Sequence, residues 1–144
     1  LGGEPSSRLR FLDLVPLLEA AATRETPARI INIGSIDGFH IPKHETYAYS
    51  SSKAASHQLS IHLADQLAGR NITVNVIAPG MFPSKMMQGT LDRVGEDKVT
   101  EKVPMRRLTG PDDMAGTAMF LASHAASYIT GVVLPVDGGT ATTL

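Results

Sequence analysis

The chain has 144 residues, 42% apolar and 19% charged with a formal charge of −1, the profile of a single soluble globular domain. That balance leaves no electrostatic footprint for nucleic acid or an anionic membrane, and no long apolar run or signal-peptide pattern occurs. No cysteine is present, which excludes disulfides, thiolate metal sites and cysteine nucleophiles.

Residues 9–22 carry apolar side chains at Leu14, Leu17, Leu18 and Ala21, a helical spacing that Pro16 should kink or delay. A polar linker follows over 23–27. Residues 29–35 (Arg29-Ile-Ile-Asn-Ile-Gly-Ser35) read as a short, buried, β-branched strand, and 36–45, with Gly38 and Pro42, as a loop. The spacing predicts a long helix over 47–68 with Ala55, Leu59, Leu63 and Leu67 as its apolar stripe and Gly69 as its C-cap. Its first turns are rich in alanine and serine, which let another backbone approach. Residues 71–78 form a second buried strand, stopped by Pro79-Gly80. The polar stretch 84–102, broken by Gly89 and Gly95, predicts short, mobile helices. Another helix starts at Pro111, with Asp112 and Asp113 complementing its dipole and Met114, Ala118 and Leu121 on one face. Residues 131–136 make a third strand, closed by Asp137-Gly138-Gly139. Strands alternating with helices imply βαβ units, an α/β fold and a parallel sheet. Ligands of such sheets sit beyond the carboxyl ends of the strands, where Ser35, Pro79-Gly80 and Asp137-Gly138-Gly139 all fall.

Tyr49 and Lys53 stand four apart on the long helix, so phenol and ammonium point the same way. A free tyrosine titrates near pH ~10, too high for ready proton exchange at neutrality, and a fixed cation nearby favours the phenolate. With the Ser35 hydroxyl holding a carbonyl oxygen, the set is the minimum apparatus for giving a proton to a ketone. The plainer alternatives are a lysine lying over a tyrosine on a solvated face, and a strand-end serine bonding its own loop. Other motifs lack their partners. Ser50-Ser-Ser-Lys53 has no Ser-Asp-Asn or Lys-Thr-Gly beside it, and Gly34-Ser35 is not a nucleophile elbow. The five histidines show no metal-ligand spacing: His40 and His44 flank Pro42, and His57 and His62 diverge on a helix. Surface or partly packed positions are expected for them.

Five segments occur together in one order. They are Ile31-Asn-Ile-Gly-Ser35, Tyr49-Ser-Ser-Ser-Lys53-Ala, Ile72-Thr-Val-Asn-Val-Ile-Ala-Pro-Gly80, Pro104-Met-Arg-Arg-Leu-Thr-Gly-Pro-Asp-Asp-Met-Ala115 and Gly131-Val-Val-Leu-Pro-Val-Asp-Gly-Gly139. Through them the chain, from about residue 27 to its end, resembles the short-chain dehydrogenase/reductase family, in the manner of its 3-oxoacyl-carrier-protein-reductase-like members. Phe82-Pro-Ser-Lys-Met86 is similar to the corresponding loop of reductases linked to rhamnolipid synthesis.

The resemblance implies a partial Rossmann-type parallel sheet with flanking helices, residues 1–144 being the C-terminal portion of one reductase domain. It implies NADP- or NAD-dependent reduction of a ketone, a 3-oxoacyl thioester among the candidates. Tyr49 would deliver the proton, Lys53 would assist it and hold the nicotinamide ribose, and Ser35 would polarise the carbonyl. Pro79, Gly80, Phe82 and Ser84 would position the nicotinamide. The helix bearing Tyr49 and the strand from Gly131 would build the faces of a homodimer or homotetramer. The alternative expectation is a truncated, non-catalytic chain that acts only by associating with similar subunits.

Three departures accompany the likeness. The Ser35–Tyr49 interval is one residue longer than is common in the family. The family's asparagine, expected within 1–10, has no counterpart, since the only asparagines are Asn32, Asn71 and Asn75. No Gly-x-x-x-Gly-x-Gly or Gly-x-Gly-x-x-Gly occurs, so the N-terminal glycine-rich βαβ half that would hold a pyrophosphate is missing. Beginning at Leu1, the sequence is expected to lack its true N-terminus, and a cytoplasmic location is the default expectation.

Overall fold

The computed structural model describes residues 10–42 and 45–143. Residues 1–9, where the family's asparagine and the start of the first helix were expected, and His44 lie outside them. Three parallel strands carry the architecture: β1 (Ala28–Ile33), β2 (Ile72–Pro79) and β3 (Val133–Val136), in the order β1-β2-β3. β1 and β2 pair from Ala28↔Ile72 to Ile33↔Ile77, and β2 and β3 from Val76↔Val133 to Pro79↔Val136. All three carboxyl ends therefore open on one side of the sheet.

The helices are α1 (Arg10–Ala21), α2 (Tyr47–Ala68), α3 (Lys85–Val94), α4 (Glu96–Thr100) and α5 (Pro111–Ala122). On one face of the sheet Val15 of α1 and Ala64 and Leu67 of α2 pack on Ile72 and Val74. On the other, Leu121 of α5 and Ala126 pack on Ile77, with Ile31, Met114 and Leu134 around them. Alternate residues of β2 supply the two cores, so this strand is buried from Ile72 to Ala78, as a strand covered on both faces must be. Asn75, fully buried within it, is satisfied: its amide donates to Ile129 O at 2.9 Å and its oxygen accepts from Val132 N at 3.2 Å. Sheet and helices together form the expected partial Rossmann-type α/β fold. Among the described residues β1 pairs with β2 alone, and its last residue, Ile33, is more than half exposed. No helix among the described residues is long and apolar enough to cross a membrane.

Several boundaries differ from the sequence reading. α1 runs through Pro16, and α3 runs through Gly89 before Gly95, at φ +85°, separates it from α4. β3 starts two residues later than expected because Gly131 takes a left-handed φ of +77°, although its N–H still reaches Val74 O at 2.8 Å. The stripe of α2 needs a larger correction. The helix spans 47–68 as expected, but Ala55 and Leu59 are exposed, and its buried residues are His57, Ser60, Ala64 and Leu67. Ser60 tolerates burial because its hydroxyl donates to Ser56 O at 2.7 Å and accepts from Asn32 Nδ2 at 2.9 Å.

α5 begins at Pro111 as predicted, and Asp113 does more than complement its dipole. The carboxylate accepts the Gly110 N–H at 2.7 Å and takes a two-pronged bond from Arg107, at 2.6 and 2.8 Å. The Arg107 guanidinium, with the Gly110 N–H second, holds the Asp113 carboxyl well below the usual carboxylate range. A carboxyl depressed on folding stabilises above its unfolded value of ~3.9 and loses that contribution as pH falls below it. The protein should therefore lose thermal stability below about pH 4, and Asp113→Asn should be less stable at neutrality but flatter over that range. Unfolding temperatures read from pH 7 to pH 2 check this; identical profiles would remove Asp113 from the account.

Candidate active site

The strand ends are tied to one another before any side chain is considered. Gly34 N donates to Ile77 O at 2.7 Å and Gly80 N to Val136 O at 3.0 Å, which fixes the residues that follow each strand at one edge. β1 then turns sharply. Ser35, 7% exposed, is extended and heads a single 3-10 turn over Ile36–Gly38; its Oγ accepts the Asp37 N–H at 3.2 Å. That is the strand-end role weighed above, yet it uses the oxygen and leaves the hydroxyl proton available to donate.

α2 returns over this edge with Tyr49 in its first turn and Lys53 one turn later. The Lys53 ammonium lies 5.6 Å from the centre of the Tyr49 ring, and its Nζ donates to Ile33 O at 3.0 Å. Ile33 is the last residue of β1, two before Ser35, so Lys53 ties the turn of α2 that carries Tyr49 to the strand end from which Ser35 follows. An ammonium has three donors, and the Ile33 carbonyl takes one, which leaves two for a ligand.

The second strand end carries the other candidates. Pro79 and Gly80 close β2, and Phe82 is half-buried just beyond. Ser84 is exposed at the head of α3, with no side-chain capping bond, and its N–H reaches Phe82 O at 2.7 Å. Among the described residues no hydrogen bond joins Phe82 or Ser84 to Tyr49 or Lys53; they share the edge, not a direct contact. At the third end Asp137 is buried and already occupied, accepting Gly139 N at 2.9 Å and Ala141 N at 2.7 Å, so its carboxylate shapes the turn.

An open depression of about 400 Å³ lies between residues 37–42 and the start of α2, walled by Phe39, Ile41, Pro42, Tyr47, Ser51 and Ala54. At roughly 100° per residue, those α2 positions face away from Tyr49 and Lys53. It adjoins the Ser35 turn through Asp37 and Gly38, but Ser35, Tyr49 and Lys53 do not line it.

His57, expected at a surface or partly packed position, is only 5% exposed and lies directly beneath the Ser35 turn. Its Nε2 accepts the Ser35 backbone N–H at 3.4 Å, and its ring is 5.9 Å from that of Phe39. The signal was in the sequence. From Tyr49 through Lys53, His57, Ser60, Ala64 and Leu67 the steps are four, four, three, four and three, one continuous helical face. Counting only apolar residues hid it. Among the described residues no group of three or more potential metal ligands gathers.

The residues at this edge suit the nicotinamide–ribose half of a dinucleotide: two spare ammonium donors, strand-end backbone and a free serine hydroxyl on α3. They offer no glycine-rich turn for the pyrophosphate.

Comparison with known proteins gives a consistent picture. A family model described as enoyl-(acyl carrier protein) reductase matches residues 13–141. A rhamnolipids biosynthesis 3-oxoacyl-[acyl-carrier-protein] reductase of Pseudomonas aeruginosa is 48% identical over 127 residues, 88% of this chain and 50% of that protein. A galactitol 2-dehydrogenase (L-tagatose-forming) of Cereibacter sphaeroides is 40% identical over 112 residues, 76% of this chain and 44% of the relative. Among solved structures, the Pseudomonas aeruginosa RhlG/NADP active-site complex superposes with a TM-score of 0.84 at 46% identity, covering 90% of this chain and 53% of the other. The chain thus spans about half the length of the relatives it matches.

Proposed function

The chain belongs to the short-chain dehydrogenase/reductase family, and on that premise we propose that it supplies the proton-transfer half of an NADP-dependent reductase that turns a ketone into its alcohol. The observation that carries the reading is the Tyr49–Lys53 pair held at the end of β1 by the bond from Lys53 to Ile33 O. In this reading Tyr49 gives its proton to the carbonyl oxygen. Lys53 stabilises the phenolate left behind and directs its spare donors to the ribose hydroxyls. The Ser35 hydroxyl donates to the same carbonyl oxygen and polarises it. Pro79, Gly80, Phe82 and Ser84 line the nicotinamide side. The bound dinucleotide supplies the hydride.

The 3-oxoacyl thioester is the favoured substrate class because the relative with 48% identity is a 3-oxoacyl-[acyl-carrier-protein] reductase, and an acetoacetyl-CoA reductase of Allochromatium vinosum is 38% identical. NADP is favoured over NAD by the nucleotide in the RhlG complex. Association into a homodimer or homotetramer, and a cytoplasmic site of action, belong to the same proposal. The competing reading, a chain that only associates with similar subunits, draws on the single-sided pairing of β1 and the exposure of Ile33.

The test follows nucleotide absorbance in the protein as the cell produces it, with a short 3-oxoacyl thioester and NADPH or NADH. Thioester-dependent oxidation, faster with NADPH, supports the proposal. Nucleotide binding without oxidation, or no binding of either, returns the chain to the association reading.

A further inference from the structure

We propose that His57, as a neutral imidazole protonated on Nδ1, is a positioning residue that sets the backbone of Ser35 and thereby the aim of its hydroxyl. The ring occupies a slot left by two glycines. A Cβ added at Gly34 would lie 2.2 Å from Nε2, and one at Gly38 would lie 2.4 Å from Cε1. Gly34 and Gly38 flank the turn that Ser35 heads, so the imidazole is the floor on which that turn rests. From this floor Nε2 accepts the Ser35 N–H. Among the described residues His57 is the one acceptor for that donor, since the last β1–β2 bond is made one residue earlier, by Gly34 N to Ile77 O. The inference rests on the reductase reading for what the Ser35 hydroxyl does; the contact itself does not depend on it.

The contact requires the neutral ring. An imidazolium carries N–H on both nitrogens, so protonation sets a donor against the Ser35 N–H and orphans both. Of the charged groups on the elements packed against the ring, Lys53, one turn before it on α2, acts on it; α2 also carries His62 and Asp65 further along and the turn carries Asp37, while β2 presents Val76 at the slot. Burial, with the Lys53 ammonium adding to it, pushes the imidazole below the ordinary histidine range. Lys53, one turn before His57, therefore discourages a second cation beneath the site.

Two readings taken together test the proposal. In nitrogen-15 spectra recorded from pH 8 downward until the His57 ring nitrogens have titrated, the Ser35 amide should move in step with them. His57→Gln keeps an acceptor near the Nε2 position and should abolish that pH response while keeping the amide protected. His57→Leu should speed Ser35 amide exchange by at least about 10-fold. In turnover, His57→Leu should lower kcat by about 10–100-fold with little change in KM, and His57→Gln should recover much of it and lose the acid limb of the profile. A Ser35 amide that ignores the His57 titration in the unmodified protein overturns the proposal, whether or not the variants fold. So does a His57→Leu enzyme with unchanged kcat. The reductase reading fails separately: full turnover in Tyr49→Phe would sink it while leaving the His57–Ser35 coupling in the spectra intact.

Discussion

Tyr49→Phe is expected to lower kcat for carbonyl reduction by about 10²–10⁴-fold, the range that a positioned general acid contributes. The substitution removes one oxygen and leaves the ring against the Lys53 ammonium, so the fold and the nucleotide side should be little disturbed. Because the proton moves only in the transition state, kcat and kcat/KM should fall together while KM stays put. Lys53 should behave differently. Its Nζ joins the β1 end to α2 through Ile33 O, and its spare donors face the ligand, so Lys53→Met should raise KM for the nucleotide as well as lower kcat. Lys53→Arg should not restore either value, since a planar fork cannot replace a compact ammonium on one carbonyl. Steady-state kinetics on the three variants read these patterns directly. Tyr49→Phe keeping more than about a tenth of kcat would exclude the phenol as proton donor.

The order and type of the elements were legible because the strands are short β-branched runs, α2 and α3 stop at Gly69 and Gly95, and α5 starts at Pro111. α2 was placed at 47–68 and is found there; α5 starts at the expected proline. The closeness of Tyr49 and Lys53 was legible in the same way, since i and i+4 on a helix is a rule of geometry. What the sequence concealed was chemical, not periodic. His57, Ser60 and Asn75 are polar by type, yet each is buried with a partner drawn from far along the chain: Ser35 N, Asn32 and Ile129 O. A hydropathy pattern cannot see such partners, so the stripe was drawn through Ala55 and Leu59, which face solvent. Lys53 hid its second task likewise: nothing in its spacing from Tyr49 shows that it anchors the end of β1. Gly34 and Gly38 were read as strand end and loop, and their real function, clearing room for the His57 ring, depends on a side chain about 20 residues away.

That clearance makes Gly34→Ala a substitution with a large expected structural cost. The new methyl group would meet His57 Nε2 at 2.2 Å and Cδ2 at 2.8 Å on one side, and Val76 Cγ1 at 2.7 Å on the other. Neither neighbour is free to move: His57 is 5% exposed, and Val76, in the middle of β2, is fully buried. Overpacking a filled site costs roughly 1–3 kcal/mol, and a methyl pinched between two immobile groups belongs at the upper end, near 3 kcal/mol. Urea unfolding at neutral pH should show this as a lower midpoint at an unchanged slope. Removing the ring should relieve only part of the strain. His57→Ala in the Gly34→Ala background clears the imidazole contacts but not Val76 Cγ1, so the double variant should be more stable than the sum of the single losses predicts, by about 1 kcal/mol or more of coupling. Additive losses would mean that the two positions do not share the slot, and the floor beneath Ser35 would have to be sought elsewhere. A positive coupling with Ser35 still misplaced is the expected functional outcome, because the ring that holds its N–H is gone. Stability would then be partly restored in a protein whose turnover stays low.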